Sequence, residues 1–188
     1  MFIASDLSSG YLRAAEADGF PRNSCAWIKG IYGVARRNDF REIVAVTQGD
    51  CSFTQALMEV LRYRGVSVVP FAFPFDRDRD FLSRELAKMA ARFGTTIAEG
   101  ERWKERLSHP RRLARQIDRL TWEEGKVTGE ENHRWLVACS DFDGDPDDYA
   151  RRAAAFLAEA SARPARNDLV PIAFVGVPPI VYGLHGCF

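Results

Sequence analysis

The sequence contains 188 residues, of which 46% are hydrophobic, so it can form one domain with a real core, or one domain and the start of another. Its 26 basic and 26 acidic residues give a formal net charge of zero, which excludes a global electrostatic attraction to nucleic acid or to an anionic membrane. No apolar run reaches the roughly 18–20 residues of a membrane span, and the start lacks a signal-peptide pattern, so we expect a cytoplasmic protein.

The first 40 residues predict a short strand and two helices. Residues 2–5 form the strand, and residues 8–19 form a helix that ends at Gly19. Residues 20–25 are a predicted loop, because they contain helix breakers. Ser24 is the predicted N-cap of the second helix. The apolar face of this helix consists of Trp27, Ile28, Ile31 and Val34.

A strand, a tight turn and a helix are predicted around the second cysteine. Residues 43–46 are apolar and mostly β-branched, and Gly49 allows a sharp turn after them. Either Asp50 or Ser52 can cap the helix that follows. Gly65 ends this helix, and residues 66–73 form the next apolar strand. A strand, a helix and a strand of these lengths predict a right-handed βαβ unit in a parallel sheet.

Two of the four cysteines share one predicted setting. Cys25 and Cys51 each stand at the N-terminus of a predicted helix, where a thiolate, the form that reacts or binds metal, is favoured. Cys51 also follows the carboxyl end of a strand, where ligands bind in open α/β sheets. The alternatives are a small residue that fills a tight turn and a chance coincidence. No CxxC pair is present, which does not favour a zinc site, and cytosolic cysteines are seldom paired in disulfides.

The second half of the chain is predicted to be mainly helical. Residues 81–93 form an amphipathic helix, and residues 94–124 form a charged helical region interrupted at Pro110. A basic face within this region is either a solvated surface offset by nearby acids or a patch that binds a phosphate or a partner. This face comprises Arg111, Arg112, Arg115 and Arg119.

The last third predicts one further helix between two apolar segments. Residues 126–133 are a predicted loop that can enter a short helix, and residues 134–138 are a predicted strand or buried segment. The acidic residues 140–148 do not match a calcium loop, because Pro146 stands where glycine is required. Asp145 is instead a predicted N-cap for a helix over about residues 147–162. Residues 164–168 form a linker, and residues 171–179 form a buried strand that ends in a Gly/Pro turn.

These elements predict an α/β fold with a parallel sheet flanked by helices and a helical insertion in its second half. We expect an α/β domain at residues 1–98, which the resemblance given below makes a cluster-binding domain, and a mainly helical region at residues 99–165. Residues 166–188 are the expected start of a truncated second α/β unit.

Seven segments, spread in order over nearly the whole chain, also resemble a known family. They are residues 15–25 (AEADGFPRNSC), 28–33 (IKGIYG), 49–54 (GDCSFT), 119–124 (RLTWEE), 128–133 (TGEENH), 140–142 (SDF) and 174–180 (FVGVPPI). Together they resemble the N-terminal part of the D-component-like (beta) subunits of the 2-hydroxyacyl-CoA dehydratase and benzoyl-CoA reductase family.

The resemblance implies a flavodoxin-like α/β fold and a [4Fe–4S] cluster held by three cysteines, with one iron left open. Cys25 and Cys51 match the first two cluster ligands. The open iron would act as a Lewis acid or an electron donor to the thioester carbonyl. The third cysteine of the family lies in a second domain, Cys187 follows the Gly/Pro turn too soon to match it, and Cys139 is a predicted core residue.

The resemblance also implies partners and a reaction. A partner dehydratase subunit and an ATP-dependent activator would deliver single low-potential electrons, and an acyl-CoA would be dehydrated through a ketyl radical. A homo- or hetero-oligomer is expected, and the strand at residues 172–175, if it forms an exposed edge, would also predict association. The alternative function is a non-catalytic α/β binding or assembly module that keeps the fold and has lost the cluster.

Overall fold

The computed structural model describes residues 8–166, 168, 170, 172–173 and 175–176. These residues divide into two compact units, which we call the first unit (residues 8–100) and the second unit (residues 101–166). The predicted three-part organisation at 1–98, 99–165 and 166–188 stays a prediction. Among the described helices, none combines the length and the apolar character needed to cross a bilayer.

The first unit contains a two-stranded parallel sheet and the helices that flank it. Its elements are α1 (Ser8–Ala17), α2 (Ala26–Arg37), β1 (Glu42–Gln48), α3 (Ser52–Tyr63), β2 (Ser67–Ala72) and α4 (Arg79–Arg92). The strands pair in parallel with Ile43 opposite Val68 and Val46 opposite Phe71, and α3 is the connection between them. The predicted strand–helix–strand unit is therefore confirmed, because α3 supplies the long connection that parallel strands require.

The core of the first unit lies between α1, α2 and α3, and the sheet packs against it. The buried members of this core are Ala15, Ile28, Tyr32, Ala35, Leu57 and Leu61. Ile43 and Val68 contact the core from the sheet, whereas Val44 of β1 is 49% exposed. Helix α4 packs against β2 and buries none of its residues. The described sheet is thus well covered on one face only, and a full flavodoxin-like sheet stays a prediction.

The second unit is built from helices. After α5 (Ile97–Arg106), which begins in the first unit, come α6 (Ser108–Trp122), α7 (Gly129–Ala138), a short 3₁₀ turn (Phe142–Gly144) and α8 (Pro146–Ser161). Helix α6 packs against both α7 and α8. The core between them includes Ile117, Phe142 and Tyr149, and the Tyr149 hydroxyl donates to the Trp135 carbonyl oxygen at 2.9 Å. These observations confirm a mainly helical second half.

Two details of the predicted second half need correction. The predicted loop does enter a helix, which begins at Gly129, but this helix continues through residues 134–138, of which only Ala138 is buried, so the predicted strand or buried segment is wrong. The charged helical region is interrupted at Leu107 rather than at Pro110, which lies in the first turn of α6. Proline is tolerated there because the N–H groups of a first turn have no helical partner.

The predicted α8 is confirmed by its start. Asp145 caps the helix, because its Oδ1 accepts from the N–H groups of Asp147 at 3.1 Å and Asp148 at 3.0 Å, and Pro146 is the first helical residue.

Some predicted strands lie wholly or mostly beyond this part of the chain. The predicted strand at residues 2–5 lies outside the described residues, as does most of the predicted strand at 171–179. Of the latter, residues 172, 173, 175 and 176 are described and belong to no strand. Ile172 and Val175 are 70% and 92% exposed, so the predicted burial is wrong for these two.

Candidate functional site

The turn before Cys51 is closed by a glycine that packs on the neighbouring strand end. Gly49 follows β1 with φ = +85°, and a Cβ atom there would lie 2.9 Å from the Phe73 carbonyl oxygen and 3.0 Å from the Phe73 Cβ. Phe73 directly follows β2, and its N–H donates to the Gln48 carbonyl oxygen at 3.0 Å. A side chain at residue 49 would therefore meet both backbone strain and a steric clash, and glycine holds Cys51 close to the sheet.

Cys51 is the N-cap of α3, with extended backbone angles (φ −76°, ψ 158°). Its N–H donates to Asp50 Oδ1 at 2.8 Å, and the Thr54 hydroxyl donates to Asp50 Oδ2 at 2.7 Å. The Cys51 Sγ lies 3.7 Å from the Thr54 Oγ1 and is exposed. The prediction that Asp50 or Ser52 caps α3 is wrong, since Asp50 instead braces the turn and leaves the thiol accessible to a ligand.

Cys25 is the N-cap of α2, so the prediction of Ser24 in this role is wrong. The Ser24 hydroxyl donates to the Pro21 carbonyl oxygen at 2.7 Å, which turns it into the preceding loop. The Cys25 carbonyl oxygen accepts the first backbone bond of α2, from the Lys29 N–H at 3.1 Å. Its side chain is half-buried against the core of the first unit. Cys25 thus has a more apolar setting than Cys51.

The loop that precedes Cys25 is tied to α2 by two buried side chains. The Lys29 Nζ donates to Glu16 Oε1 at 2.7 Å and to the Arg22 carbonyl oxygen at 2.8 Å. The Tyr32 hydroxyl donates to Asp18 Oδ2 at 2.7 Å. These bonds lower the pKa of the Glu16 and Asp18 carboxyls, and burial raises the pKa of Tyr32.

Close contact between α1 and α2 completes this arrangement. A Cβ atom on Gly33 would lie 2.4 Å from the Tyr11 carbonyl oxygen, so the two helix backbones touch at this point. Sequence reasoning missed the roles of Lys29, Glu16 and Gly33. A lysine between Ile28 and Gly30, on the buried side of an apolar helix, is the signal that could have revealed the first of them.

Other residues considered from the sequence belong to the second unit. Cys139 follows α7 and packs against the core, where burial raises the pKa of its thiol, so its prediction as a core residue is confirmed. On the basic face of α6, Arg119 pairs with Glu123 at 3.0 Å and the Arg111 guanidinium lies 5.6 Å from the centre of the Phe142 ring. These contacts favour a solvated face with internal partners over a phosphate-binding patch.

Two of the described cysteines offer the donor atoms that an iron–sulfur cluster requires. Cys25 and Cys51 are free thiols at the N-termini of two helices that pack against each other, and thiolates are the usual ligands of such clusters. Both are therefore of the chemical type that ligates such a cluster. Within the described part of the chain, no group of three or more His, Cys, Asp or Glu residues could hold a metal ion. Cys187 lies outside that part.

Comparison with known proteins found one family. The family described as 2-hydroxyglutaryl-CoA dehydratase, D-component, matches residues 1–186. Neither the curated proteins nor the solved structures contain a match to this chain.

Proposed function

This chain belongs to the family of 2-hydroxyglutaryl-CoA dehydratase D-components, and we propose that it is an iron–sulfur subunit that takes part in the dehydration of a 2-hydroxyacyl-CoA. The observation that carries the proposal is the pair of free cysteines at the N-termini of two packed helices, in a chain that the family matches over residues 1–186. Cysteine thiolates are the usual ligands of such clusters.

Cys25 and Cys51 are the proposed ligands of a [4Fe–4S] cluster. When bound, the cluster supplies low-potential single electrons and a Lewis-acidic iron for the thioester carbonyl. The chain's own residues orient the ligands: Gly49 and Asp50 hold the turn that presents Cys51, and the Cys25 carbonyl begins α2. Of the three described thiols, Cys139 packs against the core of the second unit, so the remaining ligands are proposed to come from outside the described residues.

Partners follow from the same proposal. A partner dehydratase subunit would share the substrate site, which agrees with the word component in the family description. By the resemblance to the family, an ATP-dependent activator would supply the electrons. The acyl-CoA is the proposed substrate, a homo- or hetero-oligomer is the proposed assembly, and the cytoplasm is the proposed location. The net charge of zero favours none of the nucleic-acid or membrane alternatives.

The test is iron and acid-labile sulfide per chain after anaerobic purification. We expect about four irons per chain, or about two if a pair of chains shares one cluster. Cys25→Ala and Cys51→Ala should each lose most of this iron. Cys139→Ala is the matched control, because Cys139 packs in the core of the second unit, and it should keep the wild-type content.

Two outcomes would contradict the proposal. A wild-type protein without iron would leave the alternative, a non-catalytic α/β assembly module. Iron that persists in both Cys25→Ala and Cys51→Ala would show that other residues hold the metal.

A further inference from the structure

Lys29 is a charged residue inside the core of the first unit. It is 4% exposed, and its neighbours along α2 are the buried Ile28 and Gly30. Burying an ammonium group is costly unless its protons are used in hydrogen bonds. Lys29 donates to Glu16 Oε1 at 2.7 Å and to the Arg22 carbonyl oxygen at 2.8 Å, so the charge has both a counterion and a backbone partner.

The second of these bonds reaches the loop that leads to Cys25. Arg22 lies three residues before Cys25. The backbone N–H of Lys29 also donates to the Cys25 carbonyl oxygen, at 3.1 Å. Lys29 therefore holds the chain on both sides of residues 23 and 24. The Ser24 hydroxyl and the Ser24 backbone N–H both donate to the Pro21 carbonyl oxygen, at 2.7 and 3.0 Å. These bonds join residues that precede Cys25 and do not tie them to α2.

A role in ion pairing alone would not require the Arg22 bond. The Glu16 side chain is 29% exposed, and replacing a buried ion pair by well-packed apolar residues of similar volume often leaves stability unchanged. The contact with the Arg22 carbonyl, in contrast, acts on the backbone from which Cys25 extends.

We propose that Lys29 is a positioning residue for Cys25: it holds the Arg22 carbonyl against the first turn of α2 and thereby fixes the direction of the Cys25 thiol. The inference rests on the proposed function, in which this thiol is a cluster ligand. Ligand thiols have to be held in place by their surroundings, since a loosely held ligand binds metal weakly.

The experiment measures how fast iodoacetamide alkylates Cys25 and Cys51 in metal-free protein, with each cysteine followed in its own peptide by mass spectrometry. Three variants are compared with the wild type. Lys29→Met removes both side-chain bonds, and Lys29→Met with Glu16→Leu also removes the unpaired carboxylate. Tyr32→Phe is the matched control. Tyr32 lies on the same helix as Lys29, and this substitution removes its bond to Asp18 while leaving Lys29 in place.

In both Lys29 variants we expect Cys25 to react at least about threefold faster, because local opening limits access to a half-buried thiol. Cys51 should stay within about twofold of the wild type in all variants, since its bonds to Asp50 and Thr54 are untouched. The double variant should regain much of the urea resistance that Lys29→Met loses. Its Cys25 should still be alkylated faster than in the wild type. Tyr32→Phe should leave the Cys25 rate within about twofold of the wild type.

Several outcomes would overturn the inference. Suppose that the alkylation rate of Cys25 is unchanged in the Lys29 variants, or is that of the wild type in the double variant. Lys29 would then serve only as the ion-pair partner of Glu16. An equal rise in Tyr32→Phe would assign the effect to general loosening. If Lys29→Met does not fold, the double variant alone decides. The alkylation rates are measured on metal-free protein. A wild type without iron would therefore contradict the proposed function, and the rates would still test the role of Lys29.

Discussion

At the scale of single residues, Cys25 and Cys51 share a backbone position and differ in everything around it. Both are N-caps of consecutive helices. The Cys51 thiol is exposed beside polar groups of Asp50 and Thr54, whereas the Cys25 thiol is half-buried against apolar side chains. If both bind one cluster, Cys51 is the ligand that solvent and reagents reach first, and Cys25 depends on the packing of α1 and α2.

Gly33 is the residue on which that packing depends most directly. In Gly33→Ala the new Cβ would lie 2.4 Å from the Tyr11 carbonyl oxygen, so α1 has to move away from α2. Such overpacking typically costs about 1–3 kcal/mol, which exceeds the gain of up to about 1 kcal/mol from replacing a helical glycine by alanine. We expect a lower free energy of unfolding in urea, by about 1–2 kcal/mol.

Gly100→Ala is the control for this prediction. Gly100 lies in α5, and nothing lies within 4 Å of the position its Cβ would take. Only the helix-propensity gain remains, so this variant should be more stable by up to about 1 kcal/mol. Equal effects of the two substitutions would contradict the close contact between α1 and α2.

At the scale of elements, α7 shows how a local motif can outweigh an apolar run. Residues 135–138 are Trp, Leu, Val and Ala, which are compatible with either a strand or a helix. Upstream, however, Thr128 and Glu131 form a capping box: Thr128 Oγ1 accepts from the Glu131 N–H at 3.2 Å, and Glu131 Oε2 accepts from the Thr128 N–H at 2.9 Å. The signature Thr-x-x-Glu was visible in the sequence and was the better guide.

The capping box predicts a measurable contribution to stability. Thr128→Ala removes the hydroxyl that accepts from the first turn of α7, and we expect a loss of about 1 kcal/mol in the free energy of unfolding. Thr128→Ser keeps the hydroxyl and should cost less than half as much. Urea unfolding followed by circular dichroism measures both. If Thr128→Ser is as damaging as Thr128→Ala, the methyl group rather than the cap is what matters.

At the scale of the whole molecule, pH acts on titrating groups in both units. Hydrogen bonds from Lys29, Tyr32 and Arg152 lower the pKa of their carboxylate partners, which are Glu16, Asp18 and Asp148 respectively. A group whose pKa falls on folding adds stability above its unfolded pKa, and this contribution is lost as the pH falls through the folded pKa. Burial raises the pKa of the hydroxyl groups of Tyr32 and Tyr149. Their contribution to stability is therefore present below the unfolded pKa and is lost as the pH rises through the folded pKa.

We therefore expect the urea midpoint to be highest between about pH 5 and pH 9, and to fall on both sides. The acid limb begins near the unfolded carboxyl values of about 4, and the alkaline limb near the unfolded tyrosine value of about 10. Unfolding measured at pH 3, 7 and 10.5 tests this. Tyr32→Phe should weaken the alkaline limb, and a midpoint that is flat from pH 7 to pH 3 would contradict the carboxylate contribution.

The sequence by itself determined the local elements and the chemistry-bearing residues. Apolar periodicity located α1 to α4, β1 and β2 to within a few residues, and short-range capping chemistry located the start of α8. It also placed Cys25 and Cys51 at helix N-termini, and the resemblance carried by seven segments agrees with the family that matches residues 1–186. These features depend on residues a few positions apart in the chain, so they can be predicted from the sequence alone.

Only the tertiary structure decided which residues support those cysteines. The bond from Lys29 to Glu16 joins positions 13 apart, and the contact between Gly33 and the Tyr11 carbonyl joins two helices. The sequence places Lys29 beside the apolar face of α2, but only the packing of α1 on α2 shows that it is buried and that Glu16 is its partner. Long-range hydrogen bonds arise from packing between elements, and no local pattern of residue types specifies the two partners.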